Sequence, residues 1–253
     1  MAAVGGFAGA ASIGFALGQE RSLAGPVPTA LHVEQASESI AVPPVHGIER
    51  EQQLISAFEA AFGGSDEVIR RVGALREPTR FRAGLLVSAP FGPVLLSEGE
   101  VLAPQTASTG KLAAVYLSLS SDGFRPQSRF VPAIESGSMG RLAGWNVRSD
   151  FGHYPVIEVK GAGSWRGSTC GWTTLLELRP EGPAELVTIP TAFDNSEALL
   201  DGSPTRIEGR IRGVEAGRGF DVAYSGSSAF TERFVRQGAR YVLAGGQTRM
   251  KSC

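Results

Sequence analysis

The feature that most constrains this chain is a two-residue rhythm of apolar and polar side chains, clearest in Tyr154 to Arg179, YPVIEVKGAGSWRGSTCGWTTLLELR. Ile157 and Val159 alternate with Glu158 and Lys160, and Trp172, Leu176 and Leu178 alternate with Glu177 and Arg179. A period of two places successive side chains on opposite faces of a pleated strand, so the two runs predict a β-hairpin. Gly161, Gly163, Gly167 and Gly171 suit the connection between them.

The same rhythm runs from Arg80 to the end of the chain. Expected strands are 81–88, 93–96, 112–119, 129–134, 142–148, 155–160, 172–179 and 184–189, with breakers such as Ala89-Pro90, Gly137 to Gly140 and Pro180 to Pro183 between them. Beyond Thr205, Ile207 and Ile211 alternate with Glu208, Arg210 and Arg212, and 233–236 and 240–243 form a hairpin around Gln237-Gly238. The 33 glycines and 15 prolines suit many short strands better than a few long helices. The fold class expected is mainly β, a β-sandwich or propeller-like stack of antiparallel sheets, with a short N-terminal helical hairpin. A faint internal echo, Pro93-Val94-Leu95 against Pro155-Val156-Ile157, marks 80–135 and 142–195 as a candidate repeat.

The helical hairpin is expected upstream. In 48–62, IEREQQLISAFEAAF, the residues Leu54, Ile55, Phe58, Ala61 and Phe62 fall on one stripe of a helix. Gly63-Gly64 stops it, and Ser65, Asp66 and Glu67 read as the start of a second helix to about Val72. Before this, residues 1–18 carry no charge and read as a signal peptide or membrane anchor, and 19–47, with Pro26, Pro28, Pro43 and Pro44, as a proline-rich linker. Residues 48–253 then form the folded part, delivered to the periplasm or outside the cell. Contact with a membrane is expected only through 1–18, if that segment stays uncleaved.

A net charge of −1 gives no basic field for nucleic acid, and the 24 basic residues comprise 21 arginines and three lysines. The two cysteines, Cys170 and Cys253, match no zinc spacing, but an exported chain permits one bridge between them. Neither cofactor nor metal is expected, because three scattered histidines and the acidic loop 194–201 lack coordination spacing.

Two patterns carry candidate catalytic chemistry. Ser108 and Lys111 have the S-x-x-K spacing in which a lysine can activate a serine, although a strand rather than a helix follows them. His153 with Asp150 supplies a base and its orienting carboxylate for a serine hydrolase, but no G-x-S-x-G elbow surrounds Ser138 or Ser228. For binding, Trp165 and Arg166 at the tip of the central hairpin pair a flat aromatic surface with a charged edge. The function expected is an exported β-rich protein of binding or structural type whose partner is an envelope protein or glycan; the alternative is an envelope serine hydrolase using His153 and Asp150.

Overall fold

In the computed structural model, the alternation becomes fourteen strands preceded by one helix among the described residues, which are 47–198, 203–251 and 253. The expected leader, the linker up to residue 46 and part of the acidic loop lie outside the described residues. Helix α1 spans Gly47–Phe62. One sheet holds β1 (Glu67–Val72), β2 (Glu77–Arg82), β3 (Leu85–Ala89), β4 (Gly92–Val101), β5 (Gly110–Ser120) and β6 (Gly123–Ser136). The other holds β7 (Gly144–Arg148), β8 (Val156–Trp165), β9 (Ser168–Arg179), β10 (Gly182–Asp194), β11 (Arg206–Glu215), β12 (Gly219–Gly226), β13 (Phe230–Gln237) and β14 (Arg240–Leu243).

Both sheets are antiparallel meanders. The first runs β1-β2-β4-β5-β6, with β3 also paired to β4, and the second runs from β7 to β14 in chain order. The second sheet curls into a half-barrel in which β14 returns to touch β10. The candidate repeat segments 80–135 and 142–195 fall in different sheets.

The helical hairpin is corrected to a single helix, because residues 67–72 form the edge strand β1. Val68 and Val72, four apart, read equally well as a helical stripe, and the segment is too short to hold a helix without tertiary packing. Pairing decides the matter: Val68 sits opposite Phe81 of β2 and is buried beside it, while Glu67 takes Arg80 and Arg82 on the other face.

Three apolar cores follow from which faces are covered. Phe58, Ala57 and Phe62 of α1 pack on Phe81, Leu95, Val115 and Leu117 of the first sheet. The opposite face of that sheet, with Leu96, Leu112, Ala114 and Tyr116, meets Ile157, Val159, Leu176 and Leu178 of the second. Inside the curl lie Leu175, Leu186, Phe220, Val222, Phe234 and Tyr241. Consequently β5 and much of β9 are buried on both faces, which explains why β5 reads as a nearly continuous apolar run. Along β11 one face is polar: Ile207 is buried while Glu208, Arg210 and Arg212 are exposed.

Cys170 and Cys253 form a disulfide with their Cα atoms 6.0 Å apart, tying the C-terminus to β9 across 83 positions. A loop of that size stabilises the fold by about 4 to 5 kcal/mol in the chain-entropy account.

Two expected outcomes follow for urea unfolding. Reducing the bridge, or replacing Cys253 with Ser, lowers stability by several kcal/mol. Phe58→Ala, which empties a fully buried site, costs about 3 to 5 kcal/mol.

Candidate functional site

The β8–β9 pairing continues without a slip from Val156↔Glu177 to Trp165↔Ser168 and leaves only Arg166 and Gly167 as the connection. Both have positive φ, 50° and 77°, the conformation of a tight hairpin turn. Of the glycines expected in the connection, Gly167 is in the turn, while Gly161, Gly163 and Gly171 are strand residues. A Cβ on Gly161 would lie 2.4 Å from the Trp172 ring nitrogen, so the glycine makes room for that indole, which donates to Ser136 Oγ at 2.9 Å.

Trp165 behaves differently. It is 65% exposed at the hairpin tip, with the Arg166 guanidinium 5.8 Å from its ring centroid. The tip is pinned from below: a Cβ on Gly167 would come within 2.8 Å of the Ala198 backbone, and Ser164 and Thr169 hydroxyls share a 2.8 Å hydrogen bond. The bridge to Cys253 lies a few residues along β9. An indole and a guanidinium are thereby held out on a braced turn, an arrangement suited to stacking against a flat or apolar surface.

His153 and Asp150 are close in sequence but have separate partners. The Arg148 guanidinium donates to both Asp150 oxygens, at 2.9 and 2.6 Å, and also to Glu158 at 3.0 Å. The hydrogen bond from Arg148 outweighs partial burial and holds the Asp150 carboxyl below its ordinary value. His153 is exposed and meets Tyr154 edge-on, ring centroids 4.9 Å apart. It lines a cleft of about 550 Å³ with Glu177, Arg179 and Arg236, and no serine is among the lining residues. Glu177, almost fully buried, is held by Arg179 at 2.6 Å and faces Arg236 at 3.7 Å. Among the described residues, His153 makes no hydrogen bond to Asp150 or to a serine.

Ser108 and Lys111 come together in one buried polar cluster, each directed to a different carboxylate. Lys111 opens β5 opposite Glu135 and is completely buried. Its Nζ donates to the Thr109 carbonyl at 2.8 Å, to Thr109 Oγ1 at 3.0 Å and to Glu135 Oε2 at 3.1 Å, which uses all three ammonium hydrogens. Ser108 Oγ donates a short hydrogen bond to Glu77 Oε1 and accepts one from Gln105 N–H. Glu77 Oε2 lies 3.7 Å from Lys111 Nζ, a charge contact without a hydrogen bond.

Burial would raise the Glu135 carboxyl, but hydrogen bonds from Thr109, Lys111 and the Ala74 N–H, with the charge of Lys111, overcome it and hold the group below 4.5. The cluster joins the β1–β2 turn, the β4–β5 loop and the end of β6. Gly73, at φ 78°, leaves the space that Lys111 Cε occupies, since a Cβ there would sit 2.6 Å from it. Glu77 and Glu135 escaped sequence reasoning. The available signal was a lysine leading an apolar strand, which requires a carboxylate, but nothing local says which one. Among the described residues no group of His, Cys, Asp and Glu has the arrangement of a metal site.

Comparisons of the chain with protein-family models, with curated proteins and with solved structures found no match.

Removing the cation from the polar cluster leaves two carboxylates facing each other, so Lys111→Met is expected to cost about 3 to 5 kcal/mol in equilibrium unfolding. The pH dependence has a definite sign. Because the folded-state value of Glu135 is depressed, its contribution is complete above 4.5 and is lost as pH falls through that lower value. The stability difference between the native chain and Glu135→Gln should therefore shrink as the pH is lowered below the ordinary carboxylate range.

Proposed function

We propose that this is an exported binding protein that engages an envelope protein or glycan through the tip of the β8–β9 hairpin. The observation that carries the reading is the exposure of Trp165 on a two-residue turn braced by Ala198. A large aromatic ring held rigidly in water loses little side-chain freedom on binding and gains a large contact area, which is why tryptophan and arginine recur at the centres of binding surfaces. The Cys170–Cys253 bridge supports an oxidising compartment. The uncharged segment 1–18 would deliver the chain there.

The test uses intrinsic tryptophan fluorescence with a panel of soluble envelope oligosaccharides, and chemical crosslinking in intact envelopes for protein partners. Trp165→Ala is expected to weaken binding at least tenfold with an unchanged melting temperature, since the side chain covers little of the core. Undiminished binding by that variant contradicts the reading. Labelling of a serine by a fluorophosphonate would favour the hydrolase that uses His153 and Asp150.

A further inference from the structure

We propose a second binding site, for a phosphate or carboxylate group carried on an apolar body, in the cleft at the C-terminal end of α1. The cleft has a volume of about 590 Å³ and lies between the helix end, the edge strand β1 and strand β6. Arg70 enters it from β1 and Arg129 from β6, and Phe62, Val72 and Val131 give it an apolar lining, whereas Arg71, the next residue along β1, has its side chain on the face that Glu67 occupies. No acidic side chain lines it.

Part of this positive charge has a structural role. Arg70 Nη2 donates to the Phe62 carbonyl at 2.7 Å, and Arg129 Nε donates to the Ala61 carbonyl at 3.1 Å, capping the last turn of the helix. That role does not account for the whole cluster. A helix C-terminus carries a charge equivalent to only about −0.5, against two guanidinium groups. Capping uses one N–H of Arg129 out of the five that a guanidinium offers. Among the described residues the hydrogen bonds of Arg70 and Arg129 go to backbone carbonyls, and neither has a carboxylate within salt-bridge distance.

The surplus donors in the cleft are thus free for an external anion. Guanidinium favours phosphate and carboxylate oxygens because its planar fork can make two parallel hydrogen bonds to them. The neighbouring Phe62, Val72 and Val131 favour an anion that carries apolar substance over a bare ion. The cleft belongs to the helix and the first sheet, whereas Trp165 is on the second, so this site stands or falls independently of the hairpin tip.

The experiment is calorimetric titration of the full chain with phenyl phosphate and with inorganic phosphate at low salt, together with flotation on phosphatidylglycerol and phosphatidylcholine vesicles. Saturable binding of phenyl phosphate, tighter than inorganic phosphate and weakened roughly tenfold or more by Arg129→Gln, is expected. Arg129 also caps the helix, so Arg70→Gln serves as the companion variant, and both are titrated at a temperature where their own melting curves show the folded state: each should weaken binding there. If phosphatidylglycerol vesicles bind the chain and phenyl phosphate displaces them, the source is a lipid headgroup. If vesicles fail to bind, the source is a small soluble anion. Absence of saturable phenyl phosphate binding, binding unaffected by both substitutions, or vesicle binding that phenyl phosphate does not displace overturns the proposal.

Discussion

Everything in this molecule depends on burying β5 on both of its faces. Ala113, Val115 and Leu117 face the helix, and Leu112, Ala114 and Tyr116 face the second sheet. A strand apolar on both sides is unstable until each side is covered, so it requires a layer above and a layer below. Helix α1 supplies one and β7–β9 the other. Because β9 in turn is apolar on its far side, through Leu175, the second sheet must curl over it to make the third core. One covering requirement thus passes through the whole structure.

The ends of the buried strands present the opposite problem. At the start of β5 the chain emerges from the apolar layer through a lysine, and an ammonium there is tolerable only with its donors filled and its charge matched. Glu135 and Glu77 answer this requirement, and in doing so they fasten three turns together. The polar cluster that holds the S-x-x-K residues is therefore a clasp between strands. The far end of the second sheet is fastened covalently, with the C-terminus bound back to β9. Between these two fastenings the β8–β9 hairpin projects an indole into water.

Much of this was legible in the sequence, and the exceptions have physical reasons. Strand positions were readable because alternation reflects burial of at least one face, and the Cys170–Cys253 bridge was one of the pairings that two cysteines permit. Residues 67–72 misled because six residues with valines four apart satisfy both periods; only the seat of Val68 against Phe81 selects the strand. Gly161 and Gly171 read as loop residues because their role is to make room for neighbours on the next strand, Trp172 for the first and Ala192 for the second, contacts that no local pattern announces. The carboxylates of the clasp stand 24 and 31 positions from Lys111 and Ser108. The arginine cleft was invisible for the same reason, since Arg70 and Arg129 meet only when the first sheet wraps the helix end.

Native-state hydrogen exchange tests the central claim most directly. If double-sided burial governs the fold, the amides of Leu112–Leu117 and Leu175–Leu178 exchange slowest, opening only with global unfolding, while those of the peripheral strands β1 and β14 exchange through smaller openings. Exchange of the β5 and β9 amides as fast as those of β1 and β14 would contradict the account.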